Sequence, residues 1–349
     1  MATVHDPEIH QPLTELGMVA GVHAHRAGTV TVDLTLTTDG CPLRARIEDD
    51  VTAAVRAVAG VRDVRVRFGL MSQSQRQDLA RRLRSSRAHG FGILDPDVRV
   101  YAVASGKGGV GKSTVTANLA VTLAMAGQRV GVLDADVWGH SIPQLFGVRR
   151  APVALGGMMP PVDAHGVRLM STGFFVDDDQ PVVWRGPMLH NALEQFLGDV
   201  HWGELDVLLV DLPPGTGDVT ISLLELLPAA RLLVVTTPQP AASAVAARAG
   251  RMAADSGLPV AGVIENMTGG GRMPLFGSGG GRRLASALGA PLLGGVPLDV
   301  AIREYGDLGV PVAAREPESA SAQVFRRLAA ALPRGGRRLA GVALPLSVI

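Results

Sequence analysis

A glycine-rich run inside "SGKGGVGKST", from Gly106 to Ser113, fits G-x-x-x-x-G-K-[ST], a pattern in which backbone N–H groups and a helix N-terminus cradle phosphates. By its place in that pattern, Lys112 reaches toward β- and γ-phosphates and the Ser113 hydroxyl ligates Mg²⁺. Gly106, Lys107, Gly108, Gly109, Val110, Gly111 and Thr114 complete the expected ATP cradle. One lysine is enough to grip a nucleotide, yet this loop carries a second, Lys107. Lys107 stands too early to duplicate Lys112, so its ammonium can turn outward. In a face-to-face pair of copies it would reach the neighbour's γ-phosphate and supply the charge that an arginine finger gives elsewhere.

Acidic residues fall where such a loop needs them. Asp211 closes the apolar run "VLLVD", from which a carboxylate can hold Mg²⁺ through a coordinated water; a capping role for the next segment is the plainer alternative. The stretch "DLPPGTGD", Asp211 to Asp218, joins two stiff prolines to glycines such as Gly215 that let the backbone approach a γ-phosphate, and reads as a switch ending at Asp218. Asp134 closes another strand and is expected to be structural, part of the switch, or in the metal's outer shell. Asp136, on the loop beyond, is the candidate catalytic carboxylate that orients an attacking water; a surface aspartate without a role is the alternative.

These residues need a scaffold, and the pattern around them predicts one. "VRVYAVA" before the loop reads as a buried strand, and "STVTANLAVTLAMAG" after it as a helix stopped at Gly127. Further strands are expected at 129–136, 206–212, 231–238, 260–267 and 292–299, with a helix over 241–255. Most of these strands are near-continuous apolar runs, as in parallel sheets covered on both faces. The expectation is an α/β fold, a doubly wound, mostly parallel sheet spanning 98–332, with ligands at the carboxyl ends of its strands. Residues 1–71 read instead as a small α+β domain: a helix near 7–16, strands near 18–25 and 29–36, a helix over 43–58 and a strand over 61–68. Residues 72–97 form a basic linker, with a solvated helix favoured over a nucleic-acid contact because no aromatics interleave its charges. Residues 333–349 read as a flexible tail.

Composition narrows the partners. The 349 residues are 47% hydrophobic, and 33 basic against 32 acidic side chains leave a net charge of +1, with no global steering toward nucleic acid or membrane. No long charge-free apolar stretch and no signal peptide is read, so a cytoplasmic protein is expected. One cysteine, Cys41, excludes an internal disulfide framework. It precedes Pro42 at an expected strand-to-helix turn, where a helix N-terminus could lower its pKa, although a lone cysteine is ordinarily a small apolar side chain. His5, His10, His23 and His25 fit no closed metal site by spacing and default to the surface.

"KGGVGKST" resembles the deviant Walker A motif of the MinD and ParA superfamily, whose members form ATP-dependent dimers. With "DADVWGHSIP", "VVWRGPM", "LLVDLPPGTGD", "TTPQ", "IENM" and "LFGSGGG", the chain is similar to the Mrp (ApbC) branch, the iron–sulfur cluster carrier ATPases. "DPE", "LGMV", "LTTDGCPL" and "VRDVRVRF" resemble the small iron–sulfur assembly domain often fused to them. The resemblance implies an ATPase acting as a homodimer with ATP and Mg²⁺, an iron–sulfur cluster as cargo, and assembly or recipient proteins as partners. It also implies that Asn266 contacts the adenine and that the loop from Pro297 to Asp299 lines the base pocket; read alone, Asn266 is a turn residue after a strand. Cluster-bearing members have a C-x-x-C between "ENM" and "FG-x-GG", whereas this chain reads "ENMTGGGRMPLFGSGGG" without a cysteine. Cys41 is then the one candidate cluster or transfer ligand, and direct cluster binding is in question. A positioning or partitioning ATPase and a metal-free nucleotide-gated adaptor are the rival readings. The arginines at 326, 327, 334, 337 and 338 would serve the first, but also suit ordinary helix-end charge.

Overall fold

The computed structural model describes residues 3–333 apart from 8, 10, 26–27, 38–42, 86–93, 96, 154–158, 176–185, 216–225 and 270–273, with backbone alone for 80–85 and 186–189. His10, Cys41, Asp218 and the tail from 334 to 349 therefore lie outside the described residues. The chain divides into two compact units. One comprises residues 1–89 with 150–163 and 195–203; the other comprises 90–149, 164–194 and 204–349.

The first unit contains strands β1 (Val19–Ala24), β2 (Thr29–Leu36) and β3 (Asp63–Leu70) and helices α1 (Arg44–Arg56) and α2 (Gln73–Ser85). Strand β2 is central, antiparallel to β1 and parallel to β3. In α1 the buried residues Ile47, Val51 and Val55 repeat every four positions, one face of a helix, and join Leu13, Val32, Leu34 and Leu79 in a single core. Among the described residues of 7–16, turns and a bend stand where a helix is expected. Leu13 N donates to the Val4 carbonyl at 2.9 Å and Asp6 N to the Gln11 carbonyl at 2.9 Å, so this backbone pairs back on itself between Pro7 and Pro12, and neither proline can donate to a helical ladder.

Among the described residues, the second unit is built on a sheet of seven parallel strands. These are β4 (Arg99–Ser105), β5 (Val130–Asp134), β7 (Val167–Ser171), β8 (Val207–Asp211), β9 (Arg231–Thr236), β10 (Val260–Thr268) and β11 (Leu292–Pro297), in the order β11-β10-β9-β4-β8-β5-β7; the three-residue strand β6 (Val162–Ala164) precedes β7 and is divided between the two units after residue 163. Helices α3 (Lys112–Met125), α4 (Ile142–Leu145), α6 (Pro240–Asp255), α7 (Gly280–Leu288), α8 (Val300–Asp307), α9 (Val312–Arg315) and α10 (Ala320–Ala331) connect and cover them, and α5 (Gly186–Gly198) is divided between the two units after residue 194. Along β4, Tyr101 and Val103 join a core with α3 and α10, while the alternating Ala102 and Ala104 are buried outside it, so both faces are covered. The α/β, mostly parallel expectation is met, and β7 extends the sheet beyond the strands read from sequence. None of the helices among the described residues is long and apolar enough to cross a membrane.

Strand β4 lies between β8 and β9, so the chain turns one way after it and later returns to its other side. Such a reversal leaves a crevice at the carboxyl end of the central strand. The glycine loop issues from that end.

Candidate nucleotide site

Two glycines shape the loop. Gly106 lies so close to α6 that a Cβ there would stand 2.3 Å from the Ala246 backbone nitrogen. Gly111 takes φ +78° as it opens α3, and a Cβ on it would meet the Asn266 amide nitrogen at 2.2 Å. An L side chain is strained at that φ and has no room in either place. The Asn266 amide donates to the Val110 carbonyl at 2.8 Å, so β10 braces the loop from behind. Lys107, Gly108 and Gly109 remain exposed, whereas Val110 and Lys112 are buried.

Beneath the loop sits a charged cluster. Lys112 Nζ lies 2.6 Å from Asp211 Oδ2 and 3.8 Å from Asp136 Oδ2, and all three side chains are almost fully buried. The Ser113 hydroxyl donates to the same Asp211 Oδ2 at 2.5 Å, and the Thr116 hydroxyl, one turn along α3, lies 2.8 Å from Oδ1. Asp211 and Asp134 face each other across the paired strands β8 and β5. Burial, followed by the nearby Asp211 charge, pushes the Asp134 carboxyl well above the usual carboxylate range. Asp134 holds the next loop in shape: it accepts from Asp136 N at 3.1 Å, Ile142 N at 3.3 Å and Ser171 Oγ at 3.0 Å. Asp136 accepts from Gly139 N at 3.1 Å. Its pKa is also raised, chiefly by burial; Lys112 opposes the rise and Asp211 adds to it.

A cavity of about 470 Å³ opens over this cluster, lined by Lys107, Lys112, Thr114, Asp136, Trp138 and Pro213 among others. Residues 107–114 and Asp136 line this cavity, while Asp211, bonded to Lys112 and Ser113, and Asp134, bonded to Asp136 N, lie behind the lining. Gly215, at φ +95°, donates its N–H to the Ser105 carbonyl at 2.8 Å and so lies beside the loop. Pro297 ends β11, and Asp299 caps α8 by accepting from Ala301 N at 3.0 Å. Sequence reasoning missed two residues. Trp138, 65% exposed at the cavity mouth, is flagged only by its position two residues after Asp136. Thr116 is flagged by helical spacing, four residues after Lys112 and hence on the same face.

A glycine loop at the carboxyl end of a central parallel strand, with lysine, serine and aspartate converging below it, defines a P-loop NTPase. A family model for the NUBPL iron-transfer P-loop NTPases matches residues 97–333, and one for an iron–sulfur cluster assembly protein matches residues 1–68. The chain belongs to the NUBPL iron-transfer P-loop NTPase family. It is 50% identical, over 360 aligned residues covering 99% of this chain and 94% of the relative, to the iron–sulfur cluster carrier protein of Mycobacterium tuberculosis. Among solved structures, the nucleotide-binding protein of Archaeoglobus fulgidus in complex with ADP is 37% identical with a TM-score of 0.55, covering 65% of this chain and 91% of that one. The septum site-determining protein MinD of Pyrococcus horikoshii complexed with Mg-ADP is 25% identical with a TM-score of 0.52, covering 71% and 100%.

Among the described residues no group of three or more His, Cys, Asp or Glu is arranged to hold a metal ion by itself. Mg²⁺ asks for less, being held by one or two oxygen donors together with phosphates. The Ser113 hydroxyl and Asp211 carboxylate, 2.5 Å apart, are a donor set of that kind.

Proposed function

We propose that the protein binds ATP with Mg²⁺, hydrolyses it as a homodimer, and couples that cycle to carrying an iron–sulfur cluster to recipient proteins. The observation that carries the reading is the buried Lys112–Asp211–Ser113 cluster beneath a loop whose other lysine, Lys107, is exposed. In this reading the loop N–H groups and Lys112 hold the β- and γ-phosphates. Ser113 ligates Mg²⁺ and Asp211 holds it through water; the ion supplies charge neutralisation on the phosphates. Asp136 orients the attacking water, and its raised pKa makes it a stronger base than an ordinary aspartate. Lys107 of a second copy brings positive charge to the γ-phosphate. Asn266, already tied to Val110, has its carbonyl oxygen left to accept from an adenine amino group.

The cluster is cargo, and its ligands cannot all come from this chain. A cubane cluster takes about four thiolates, whereas the chain owns one cysteine, Cys41. Donor or recipient proteins must then complete the ligand set. Anaerobic reconstitution with iron and sulfide tests this in the parent protein and in Cys41→Ser. Bound cluster that depends on Cys41 and passes to an apo acceptor is the expected result. ATP hydrolysis without any bound or transferred iron would instead mark a nucleotide-gated adaptor.

A further inference from the structure

We propose that Thr116 is a positioning residue for the metal-holding carboxylate, keeping Asp211 oriented while the other groups on that carboxylate are engaged elsewhere. The inference rests on the Mg²⁺–nucleotide site just proposed and adds to it a residue that no phosphate-loop pattern contains. Asp211 is fully buried, and its two oxygens are held differently. Oδ2 faces Lys112 Nζ at 2.6 Å and Ser113 Oγ at 2.5 Å; Oδ1 faces Thr116 Oγ1 at 2.8 Å. Both partners of Oδ2 have another task, since Lys112 serves the phosphates and Ser113 the metal. Thr116 has none.

Its surroundings fix it in place. Thr116 is fully buried on the first turns of α3, and its hydroxyl also lies 3.0 Å from the Lys112 carbonyl. A hydroxyl has one proton, and a carboxylate is the stronger acceptor, so the proton goes to Asp211 while the β-branched side chain restricts rotation away from it. When Lys112 and Ser113 turn to their ligands, Thr116 is the side chain that still holds the carboxylate plane, with Oδ2 presented toward the metal's water. Outer-shell partners that orient the groups around a metal typically change its affinity about 10- to 100-fold when they are removed.

The test is ADP binding by calorimetry, with and without Mg²⁺, in the full chain and in Thr116→Val, which keeps the shape and removes the hydroxyl. Thr116→Ala serves if the valine variant does not fold, and Thr116→Ser restores the hydroxyl alone. The Mg²⁺ concentration giving half of the gain in ADP affinity is expected to rise about 10- to 100-fold in Thr116→Val, with ADP affinity in chelator nearly unchanged and with Thr116→Ser close to the parent. A midpoint within about twofold of the parent, or a serine variant as impaired as the valine one, overturns the role of Thr116. A parent protein whose ADP affinity ignores Mg²⁺ overturns the site reading itself, and the inference with it.

Discussion

Asp136 and Asp206 are carboxylates of one unit with opposite environments. Asp136 is buried, and burial lifts its pKa even with Lys112 nearby. Asp206 immediately precedes β8, is 35% exposed, and accepts from Arg129 N at 2.8 Å, Nε at 3.1 Å and Nη2 at 2.8 Å. Those hydrogen bonds, ahead of simple charge attraction, hold its pKa down to about 2. The sign of the consequence follows from proton linkage. Because the fold lowers this pKa below 3.8, the unfolded chain binds the proton more readily, so the contribution is complete above that value and is lost as pH falls toward about 2. Asp206→Asn is expected to lower the melting temperature at neutral pH, with the gap from the parent narrowing as pH falls through that window. Exposure screens the pair, so the gap should also shrink in high salt. A gap unchanged across the acid range would contradict this assignment.

At the scale of elements, the loop is held by what packs behind it. Gly106 admits α6 at backbone contact, and Asn266 on β10 bonds to Val110. Gly106→Ala drives a methyl into the Ala246 backbone, which cannot rotate aside, so a loss of at least ~1–3 kcal/mol is expected, together with weaker ADP binding. Denaturant melts and calorimetry check both, and an alanine variant with parental stability would show that α6 moves freely. Much of this site was legible beforehand. The residues from Gly106 to Thr114 form a local pattern, and Asp211 and Asp134 mark the ends of apolar runs, so strand, turn and helix follow from neighbours in sequence. What was not legible depends on distant partners. The Asn266–Val110 bond joins residues 156 positions apart. The sequence showed Asp136 as a loop residue, and only the fold buries it against Lys112. Strand β7 has the polar Arg168 and Ser171 within five residues, which breaks the apolar run that betrayed its neighbours. Residues 7–16 carry helix-compatible spacing, but backbone pairing across Pro12 decides their path.

For the molecule as a whole, the proposed hydrolysis requires two copies. One chain holds the whole glycine loop from Gly106 to Thr114, yet its Lys107 faces solvent, and its single cysteine is fewer than the proposed cluster cargo would need. A symmetric dimer places the same patch of each copy against the other, so each Lys107 would complete its neighbour's site while Asp136 serves its own. Lys107→Ala should therefore bind ATP and hydrolyse it ~10³-fold or more slowly, and Asp136→Asn should be impaired for a different reason. Mixing the two inactive variants decides the matter. If Lys107 acts across the dimer, each mixed dimer holds one site with both groups intact, and random pairing should restore about a quarter of parental ATP turnover. Turnover that stays at the level of the separate variants after subunit exchange would contradict the account.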